Sequence, residues 1–390
     1  MSSDRSKLTI QTMSYAYSTA GIVIIGAGMA GSRFAIELAR AQQQSKSPNN
    51  QRPLPITLIS KEPEVGYNRI MLSPVLAGDS AFEDTYLYQQ SDYEQLGIIV
   101  LAGTAVTAVD TKQQSIELDS GQTLVYAKLV IATGSSARVI PFPNYDATGV
   151  HVFREVADVN ALIEYANQGK KGLVIGGGVL GLEAACALAS QGADMTVVHV
   201  DSYVLNRQLD LPAAQLLQAE LALRGVGVKV SAITDYIAVN DQYEVKGLSL
   251  KDGRTLPADF IVMAVGVMPN IALARDCGLE VNRGIIVDDC MHTSCPHVYA
   301  VGECVELDGE LFGMVAPVNQ QVDTLVSVLK DTRLSGDSLG SKENWQPFRS
   351  TPLSLKLKVS GISTFSAGQK SPDRFFHCTG NSIKARRPDR

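Results

Sequence analysis

The 390-residue sequence has no apolar run that approaches the roughly 20 residues of a membrane-spanning helix. Residues 1–20 are polar and mixed, lack the apolar core of a secretion signal, and are expected to form a flexible tail. The net charge of −6 comes without a basic stripe that could neutralise nucleic-acid phosphates. These absences argue against a membrane protein and a nucleic-acid binder, and we expect a cytoplasmic enzyme.

Paired cysteine motifs are also scarce. None of the six cysteines forms a C-x-x-C pair, and nothing complements His292 and His297 as a ligand set, so we expect no metal site. Cys290 and Cys295 have a C-x4-C spacing that forms a redox disulfide in some enzymes. Because both lie at a strand exit far along the chain, we favour isolated structural thiols, with a redox pair as the alternative.

Glycine, in contrast, follows a pattern typical of dinucleotide binding. The apolar residues 22–25, which suit a strand buried on both faces, lead into Gly26, Gly28 and Gly31 in a G-x-G-x-x-G order. The first glycine allows a tight bend, the second lets the backbone approach a pyrophosphate, and the third lets the next helix pack on its strand. The N-terminus of that helix then points N–H groups at the phosphates.

The same pattern recurs at residues 173–181, where Gly176, Gly178 and Gly181 follow an apolar strand and open a helix. A lone match is a weak signal, because ordinary glycine-rich turns share it. Two matches in one chain predict two bound dinucleotides.

Acidic residues beyond the strands are candidates for binding ribose hydroxyls. Glu62 comes soon after the strand at 56–59 and is predicted to accept hydrogen bonds from a ribose diol, with an ordinary solvated glutamate as the alternative. In the second unit His199 and Asp201 occupy the equivalent area, and Arg207 is further off. Asp201 mildly favours NADH, whereas arginines there would favour NADPH.

The order of elements predicts an α/β protein with two Rossmann-like domains, the second inserted in the first. We place the first domain at residues 21–141 and 257–330 and the inserted one at 142–256. The apolar strand at 261–263 is taken as the return to the first domain. Residues 331–344 form a linker, and 345–390 form a C-terminal segment whose last twenty residues, with five basic side chains against two acids, are expected to be disordered.

With these residues in view, the chain resembles the FAD-dependent pyridine-nucleotide oxidoreductases, glutathione-reductase-like flavoproteins in which an NAD domain is inserted in an FAD domain. The resemblance is carried by the two glycine patterns, by Thr133 and Gly134 after a strand, and by residues 299–303, which end in Gly302 and Glu303. Within the family the sequence is most similar to the flavin domain of assimilatory NAD(P)H nitrite reductase large subunits and nitrate reductase electron-transfer subunits, through residues 67–78, 282–289 and 355–361.

The resemblance implies a set of site residues. Glu303, where most relatives have Asp, is expected to bind the ribityl chain of FAD, and the helix start at Pro317 to face the flavin carbonyls. Arg69 is expected beside the isoalloxazine, paired with Glu183, and these two are the candidate catalytic residues. The remaining cofactor-binding candidates are Gly26, Gly28, Gly31, Glu62, Thr133, Gly134, Gly176, Gly178, Gly181, Asp201 and Gly302.

The departures from the family limit the expected activity. Disulfide reductases of this fold carry a redox C-x4-C soon after the first FAD unit, where this chain has residues 67–73 without cysteine, so disulfide reduction is not expected. Complete nitrite reductase large subunits continue into cysteine-ligated iron–sulfur and sirohaem segments. From about Lys370 the chain stops matching and turns basic, so we expect a truncated or frame-shifted, incomplete interface segment.

Three functional hypotheses remain open. The first is a flavoprotein that takes hydride from NADH or NADPH onto FAD and passes electrons to a metal-centre protein, sirohaem or iron–sulfur, in nitrite or nitrate assimilation. The second is a rubredoxin or ferredoxin reductase. The third is an FAD-binding protein without turnover.

Overall fold

The structure is a computed structural model that describes residues 20–44, 52–332 and 346–348, together with the backbone of short strands between 355 and 386. Its strands are β1 (Gly21–Ile25), β2 (Ile56–Ile59), β3 (Ile99–Leu101), β4 (Val106–Asp110), β5 (Ser115–Leu118), β6 (Thr123–Ile131), β7 (Ser135–Ala137), β8 (Val150–Val152), β9 (Lys171–Ile175), β10 (Asp194–Val198), β11 (Gly227–Lys229), β12 (Thr234–Val239), β13 (Val245–Leu250), β14 (Thr255–Pro257), β15 (Phe260–Met263), β16 (Val267–Pro269), β17 (Ile285–Ile286), β18 (Val298–Ala300), β19 (Val305–Leu307), β20 (Glu310–Leu311), β21 (Leu355–Val359), β22 (Ile362–Ser366), β23 (Phe375–Thr379) and β24 (Ser382–Arg386).

The α-helices of the described residues are α1 (Met29–Gln44), α2 (Leu72–Leu76), α3 (Gln90–Gln95), α4 (Val156–Asn167), α5 (Val179–Ser190), α6 (Leu211–Leu223), α7 (Ala272–Asp276) and α8 (Val315–Leu329). Short 3-10 turns lie at Arg69–Met71 and Phe82–Thr85. In the part of the chain that the structure describes, no helix is long and apolar enough to cross a membrane.

The first compact unit comprises Met1–Asn68, Tyr86–Ser136 and Met268–Thr351. Its sheet runs β3-β2-β1-β6 in parallel, β18 joins β6 in parallel, and β5 and β4 extend the other half of β6 as an antiparallel meander. Every residue of β1 is buried, as expected of a parallel strand covered on both faces. Helices α1 and α8 pack together and are joined at the surface by an Arg33–Asp323 ion pair of 2.9 Å.

The second unit comprises Arg69–Thr85, Ala137–Val267 and Pro352–Arg390. Its sheet has the order β11-β10-β9-β15-β8, and all four pairings are parallel. Strands β12, β13 and β14 form a separate antiparallel sheet whose residues Ile237 and Leu248 share an apolar core with Leu173 and Ile261 of the parallel sheet. The predicted α/β class with two Rossmann-like domains, one inserted in the other, is confirmed.

Two of the expected domain boundaries differ from the limits of the compact units. The return to the first domain was expected at residue 257, but β15 pairs with β9 inside the second sheet, so the second unit continues to Val267. Residues 69–85 were assigned to the first domain, yet they cluster with the second unit, where Gln191 Nε2 donates to the carbonyl oxygen of Ala77. Both stretches are apolar segments whose sheet or helix partners are distant in sequence.

The C-terminal segment forms a sheet of order β21-β22-β24-β23. Strands β23 and β24 pair antiparallel from Phe375 with Arg386 to Thr379 with Ser382. The disorder expected for the last twenty residues stays a prediction. The expected linker at 331–344 falls outside the described residues apart from Asp331 and Thr332.

Candidate functional site

The first glycine turn is built by steric necessity. Gly26 has a φ of +106°, and a Cβ at this position would lie 2.3 Å from the carbonyl oxygen of Ala132. A Cβ on Gly31 would lie 1.9 Å from the carbonyl oxygen of Gly26, so helix α1 touches the turn below it. A Cβ on Gly28 would meet no atom within 4 Å. The protein's own packing therefore explains Gly26 and Gly31, and leaves open space over Gly28.

The second glycine turn repeats this geometry. Gly176 has a φ of +122°, with a Cβ position 2.3 Å from the carbonyl oxygen of Ala264, and a Cβ on Gly181 would lie 2.1 Å from the carbonyl oxygen of Gly176. Gly178, the N-cap of helix α5, again has nothing within 4 Å of its Cβ position. The two glycine patterns of the sequence therefore form turns of matching geometry.

Both turns fit a dinucleotide. In each, a helix of three or more turns, α1 or α5, begins directly beside the second glycine, whose missing side chain leaves the backbone accessible. The N–H groups and positive dipole end of such a helix favour a phosphate, and no side chain stands in its way. Gly28 and Gly178 are thus the positions at which a pyrophosphate can approach most closely.

Hydrogen bonds connect the loop that carries Glu62 to the first glycine turn. The Gly66 N–H donates to the carbonyl oxygen of Ala27, inside the glycine turn, at 3.0 Å. The hydroxyl of Tyr67 donates to Glu62 Oε2 at 2.7 Å. The loop that carries Glu62 is therefore tied back to the phosphate-binding turn, which suits its predicted role at a ribose.

Gly302 and Glu303, shortly after β18, are each hydrogen-bonded by a residue that sequence reasoning missed. Ser135 Oγ donates to Glu303 Oε2 at 2.6 Å, and the Gly302 N–H donates to Oε1 of the fully buried Gln321 at 2.8 Å. Gln321 lies one helical turn after Pro317, itself buried in the first turn of α8. A polar residue on the apolar face of a helix was the signal that could have revealed Gln321.

Thr133 and Gly134 form a tight turn with another missed residue, Asn270. Thr133 Oγ1 donates to the carbonyl oxygen of Asn270 at 2.8 Å, and Asn270 Nδ2 donates to the carbonyl oxygen of Thr133 at 2.9 Å. Gly134 has a φ of +64° and accepts the N–H of Asn270 at 2.9 Å. The hydroxyl of Thr133 thus stabilises the backbone of this turn.

In the second unit, His199 and Asp201 follow β10 as expected. His199 Nδ1 accepts a hydrogen bond from the Gly177 N–H at 3.1 Å, while its Nε2 lies 3.5 Å from Asp201 Oδ2. Asp201, half exposed, also accepts from Asn206 Nδ2 at 2.8 Å. The histidine turns inward to the second glycine turn, and the carboxylate next to it faces solvent.

The expected pair of Arg69 and Glu183 is not made. Glu183 Oε2 accepts a hydrogen bond from Ser73 Oγ at 2.9 Å, and Arg69 Nη1 donates to the carbonyl oxygen of Arg154 at 2.9 Å. Burial raises the pKa of the Glu183 carboxyl above its ordinary value, and the smaller effect of the Ser73 hydroxyl opposes this rise. The sequence could place Arg69 and Glu183 in one region, but it could not show that the hydroxyl of Ser73 is the hydrogen-bond partner of the Glu183 carboxylate.

Cys277, Cys295 and Cys304 are free thiols. Burial raises the pKa of the Cys277 and Cys304 thiols, which disfavours the reactive thiolate. The interpretation of Cys290 and Cys295 as isolated structural thiols rather than a redox pair stays a prediction.

Comparison with known proteins shows the family of the chain. The family model described as pyridine nucleotide-disulphide oxidoreductase matches residues 20–324. The chain is 39% identical over 347 residues to a nitrite reductase [NAD(P)H] of Bacillus subtilis (strain 168), covering 89% of this chain and 40% of that protein. It is also 39% identical over 352 residues to an assimilatory nitrate reductase electron transfer subunit of the same organism, covering 90% and 43%. The chain therefore spans less than half the length of these two relatives.

Among solved structures, the fold is similar to NADH:rubredoxin oxidoreductase from Clostridium acetobutylicum. The TM-score is 0.71 at 26% identity, and the match covers 94% of this chain and 90% of that one.

Substitution of the second glycine in each turn is predicted to weaken the binding of one dinucleotide and not the other. Gly28→Ala adds a methyl group to open space, so the apoprotein should melt at the wild-type temperature while FAD affinity falls at least about tenfold. Gly178→Ala should instead leave FAD bound and raise the KM for NADH or NADPH. Equilibrium FAD titration and initial-rate kinetics on both variants provide the check. Equal effects of both variants on FAD binding would contradict the assignment.

Glu183 is predicted to make stability depend on pH. Because its folded-state pKa is raised, the stability contributed by the protonated carboxyl is complete below the unfolded pKa and is lost as pH rises through the folded pKa. Glu183→Gln should therefore be more stable than wild type near pH 7, and the difference should shrink on acidification. Urea unfolding across pH measures this difference. The matched control is Glu164→Gln, the same substitution at an exposed position of α4. A Glu183→Gln difference that stays constant from acid to neutral pH would contradict the prediction.

Proposed function

Because the chain belongs to the pyridine nucleotide-disulphide oxidoreductase family, whose members bind FAD and NAD(P)H, we propose that it takes hydride from NADH or NADPH onto FAD and passes the electrons to a metal-centre protein acceptor. The observation that carries this proposal is the pair of matching glycine turns, one in each unit. One chain that binds both a hydride donor and a flavin is suited to this reaction.

The proposal assigns FAD to the first unit, where Gly26, Gly28 and Gly31 form the phosphate-binding turn and Glu62 and Glu303 supply carboxylates. When bound, FAD supplies the conversion of a two-electron hydride donor into one-electron steps. The chain's own contribution is to bind and orient. Ser135 fixes the Glu303 carboxylate, and Gln321 fixes the backbone beside it, so that this acceptor is preorganised for a hydroxyl donor.

The nicotinamide dinucleotide is assigned to the second unit, on Gly176, Gly178 and Gly181, with Asp201 at the adenosine ribose. A half-exposed carboxylate can accept hydrogen bonds from a 2′,3′-diol and would repel a 2′-phosphate, which favours NADH. The role of Arg69 beside the flavin remains a prediction from the resemblance.

We propose nitrite or nitrate assimilation as the setting, since two relatives at 39% identity are a nitrite reductase and a nitrate reductase electron transfer subunit. The second candidate is a rubredoxin or ferredoxin reductase, because the chain covers nearly the whole of a rubredoxin oxidoreductase. We propose that the protein acts in the cytoplasm, because the free thiols of Cys277, Cys295 and Cys304 suit a reducing compartment.

The reductase proposal predicts that, in the absence of oxygen, NADH or NADPH bleaches the absorbance of the bound flavin near 450 nm. The measurement is an anaerobic titration of the purified, FAD-loaded chain, followed by addition of oxidised rubredoxin, ferredoxin or a sirohaem enzyme. An acceptor that re-oxidises the flavin identifies the partner class. Tight FAD binding without reduction by either nucleotide would reject turnover and support the FAD-binding alternative.

Asp201 is predicted to set the coenzyme preference. Asp201→Asn keeps the shape and removes the charge, so the ratio of kcat/KM for NADH over NADPH should fall about tenfold through better use of NADPH. Asp194→Asn at the opposite end of β10 is the matched control, since its carboxylate is similarly exposed and pairs with Lys171. An unchanged ratio in Asp201→Asn would place the ribose elsewhere.

A further inference from the structure

Tyr67 is a buried tyrosine whose hydroxyl contacts a carboxylate that the site needs. Its side chain is 1% exposed, and its hydroxyl donates to Glu62 Oε2 at 2.7 Å. Glu62 itself is partly exposed, as a residue that receives a ligand must be. A hydrogen bond to an ionised carboxylate is about twice as strong as one between neutral groups.

The backbone around Tyr67 is held independently of this hydrogen bond. Tyr67 forms an antiparallel bridge with Tyr86, and Gly66 both donates to the carbonyl oxygen of Ala27 at 3.0 Å and accepts from the Leu87 N–H at 2.9 Å. The Gly66 segment therefore has a fixed position relative to the first glycine turn, and the tyrosine ring has a fixed position in the core.

The other end of the loop is anchored as well. The Gly103 N–H donates to the carbonyl oxygen of Glu62 at 3.1 Å, and the Thr104 N–H donates to that of Ser60 at 2.7 Å. These bonds fix the backbone of Glu62 but not its side chain, which has three rotatable bonds. The Tyr67 hydroxyl supplies a side-chain restraint at the carboxylate itself.

We propose that Tyr67 is a positioning residue for FAD binding, which acts by holding the Glu62 carboxylate toward the adenosine ribose. The inference rests on the proposed function, in which Glu62 accepts the ribose diol. A long glutamate side chain loses rotamer freedom when it binds a ligand, and a carboxylate restrained beforehand loses less. Tyr67 thus lowers the entropic cost of binding without contacting FAD.

A purely structural role for Tyr67 makes a different prediction. If the residue served only to fill the core, its ring would matter and its hydroxyl would not. Tyr126 provides the comparison within the same unit, since it is 2% exposed and its buried hydroxyl has no hydrogen-bond partner in the described structure. Removal of that hydroxyl removes no restraint on a carboxylate.

The test is equilibrium FAD binding to the full-length apoprotein, for Tyr67→Phe, Glu62→Gln and the double variant, with Tyr126→Phe as the matched control. Tyr67→Phe should bind FAD about tenfold more weakly, because the unrestrained Glu62 side chain then loses its rotamer freedom when FAD binds. Glu62→Gln should lose at least as much FAD affinity. The double variant should bind FAD no more weakly than Glu62→Gln, because both substitutions disrupt the same hydrogen-bonded pair. Tyr126→Phe should bind FAD like wild type.

Glu62→Asp keeps the proposal testable if Tyr67→Phe does not fold. This change lies on a partly exposed side chain, retains the charge and withdraws the carboxylate from the Tyr67 hydroxyl. It should lose FAD affinity while the apoprotein remains folded. Wild-type FAD affinity in Glu62→Asp or in a folded Tyr67→Phe overturns the proposal, as does additivity of Tyr67→Phe and Glu62→Gln.

Failure of this inference is distinct from failure of the proposed function. Once saturated with FAD, Tyr67→Phe should be reduced by NADH at the wild-type rate, because Tyr67 acts on binding alone. Wild-type affinity in Tyr67→Phe leaves the reductase proposal intact. FAD-loaded wild type that no nicotinamide nucleotide reduces rejects the reductase proposal while the FAD titrations still decide the role of Tyr67.

Discussion

Direct contact between a helix and the turn that precedes it is the constraint on which both units depend. At Gly31 and Gly181 a Cβ atom would lie about 2 Å from a backbone carbonyl oxygen, a separation that no side chain tolerates. Because each helix packs directly on the turn that precedes it, its N-terminus lies at the carboxyl ends of the parallel strands. The positive end of each helix and the backbone of the middle glycine are thereby brought to one place, where a phosphate can bind.

Local features of the fold could be predicted from the sequence because glycine spacing and apolar runs act over a few residues. Both turns, the strands before them and the helices after them stand where the pattern placed them. The position of Glu303 after β18 also follows from its motif. Coarse domain order was predictable as well, since the second glycine pattern lies between segments of the first unit.

Tertiary partnership was not predictable in the same way. Strand β15 is apolar and four residues long, and nothing within it tells which of two parallel sheets it joins. Ser73, Ser135 and Gln321 are uncharged polar residues whose local sequence does not indicate a partner, and their hydrogen bonds depend on which residues the fold places beside them. The error over Arg69 and Glu183 has this origin, because opposite charges in one region need not pair when a nearer hydroxyl satisfies the acid.

The insertion of one unit within the other has a consequence for the order of synthesis. All five strands of the second parallel sheet, through Met263, leave the ribosome before β18, which the first sheet needs to complete its parallel order. Helix α8, which covers α1, follows later still. Since domains generally fold as units while the chain emerges, the second parallel sheet can close while the second half of β6 in the first sheet is still an open edge. Misassembly is therefore favoured during synthesis, while this edge of β6 is unpaired, more than in the complete protein.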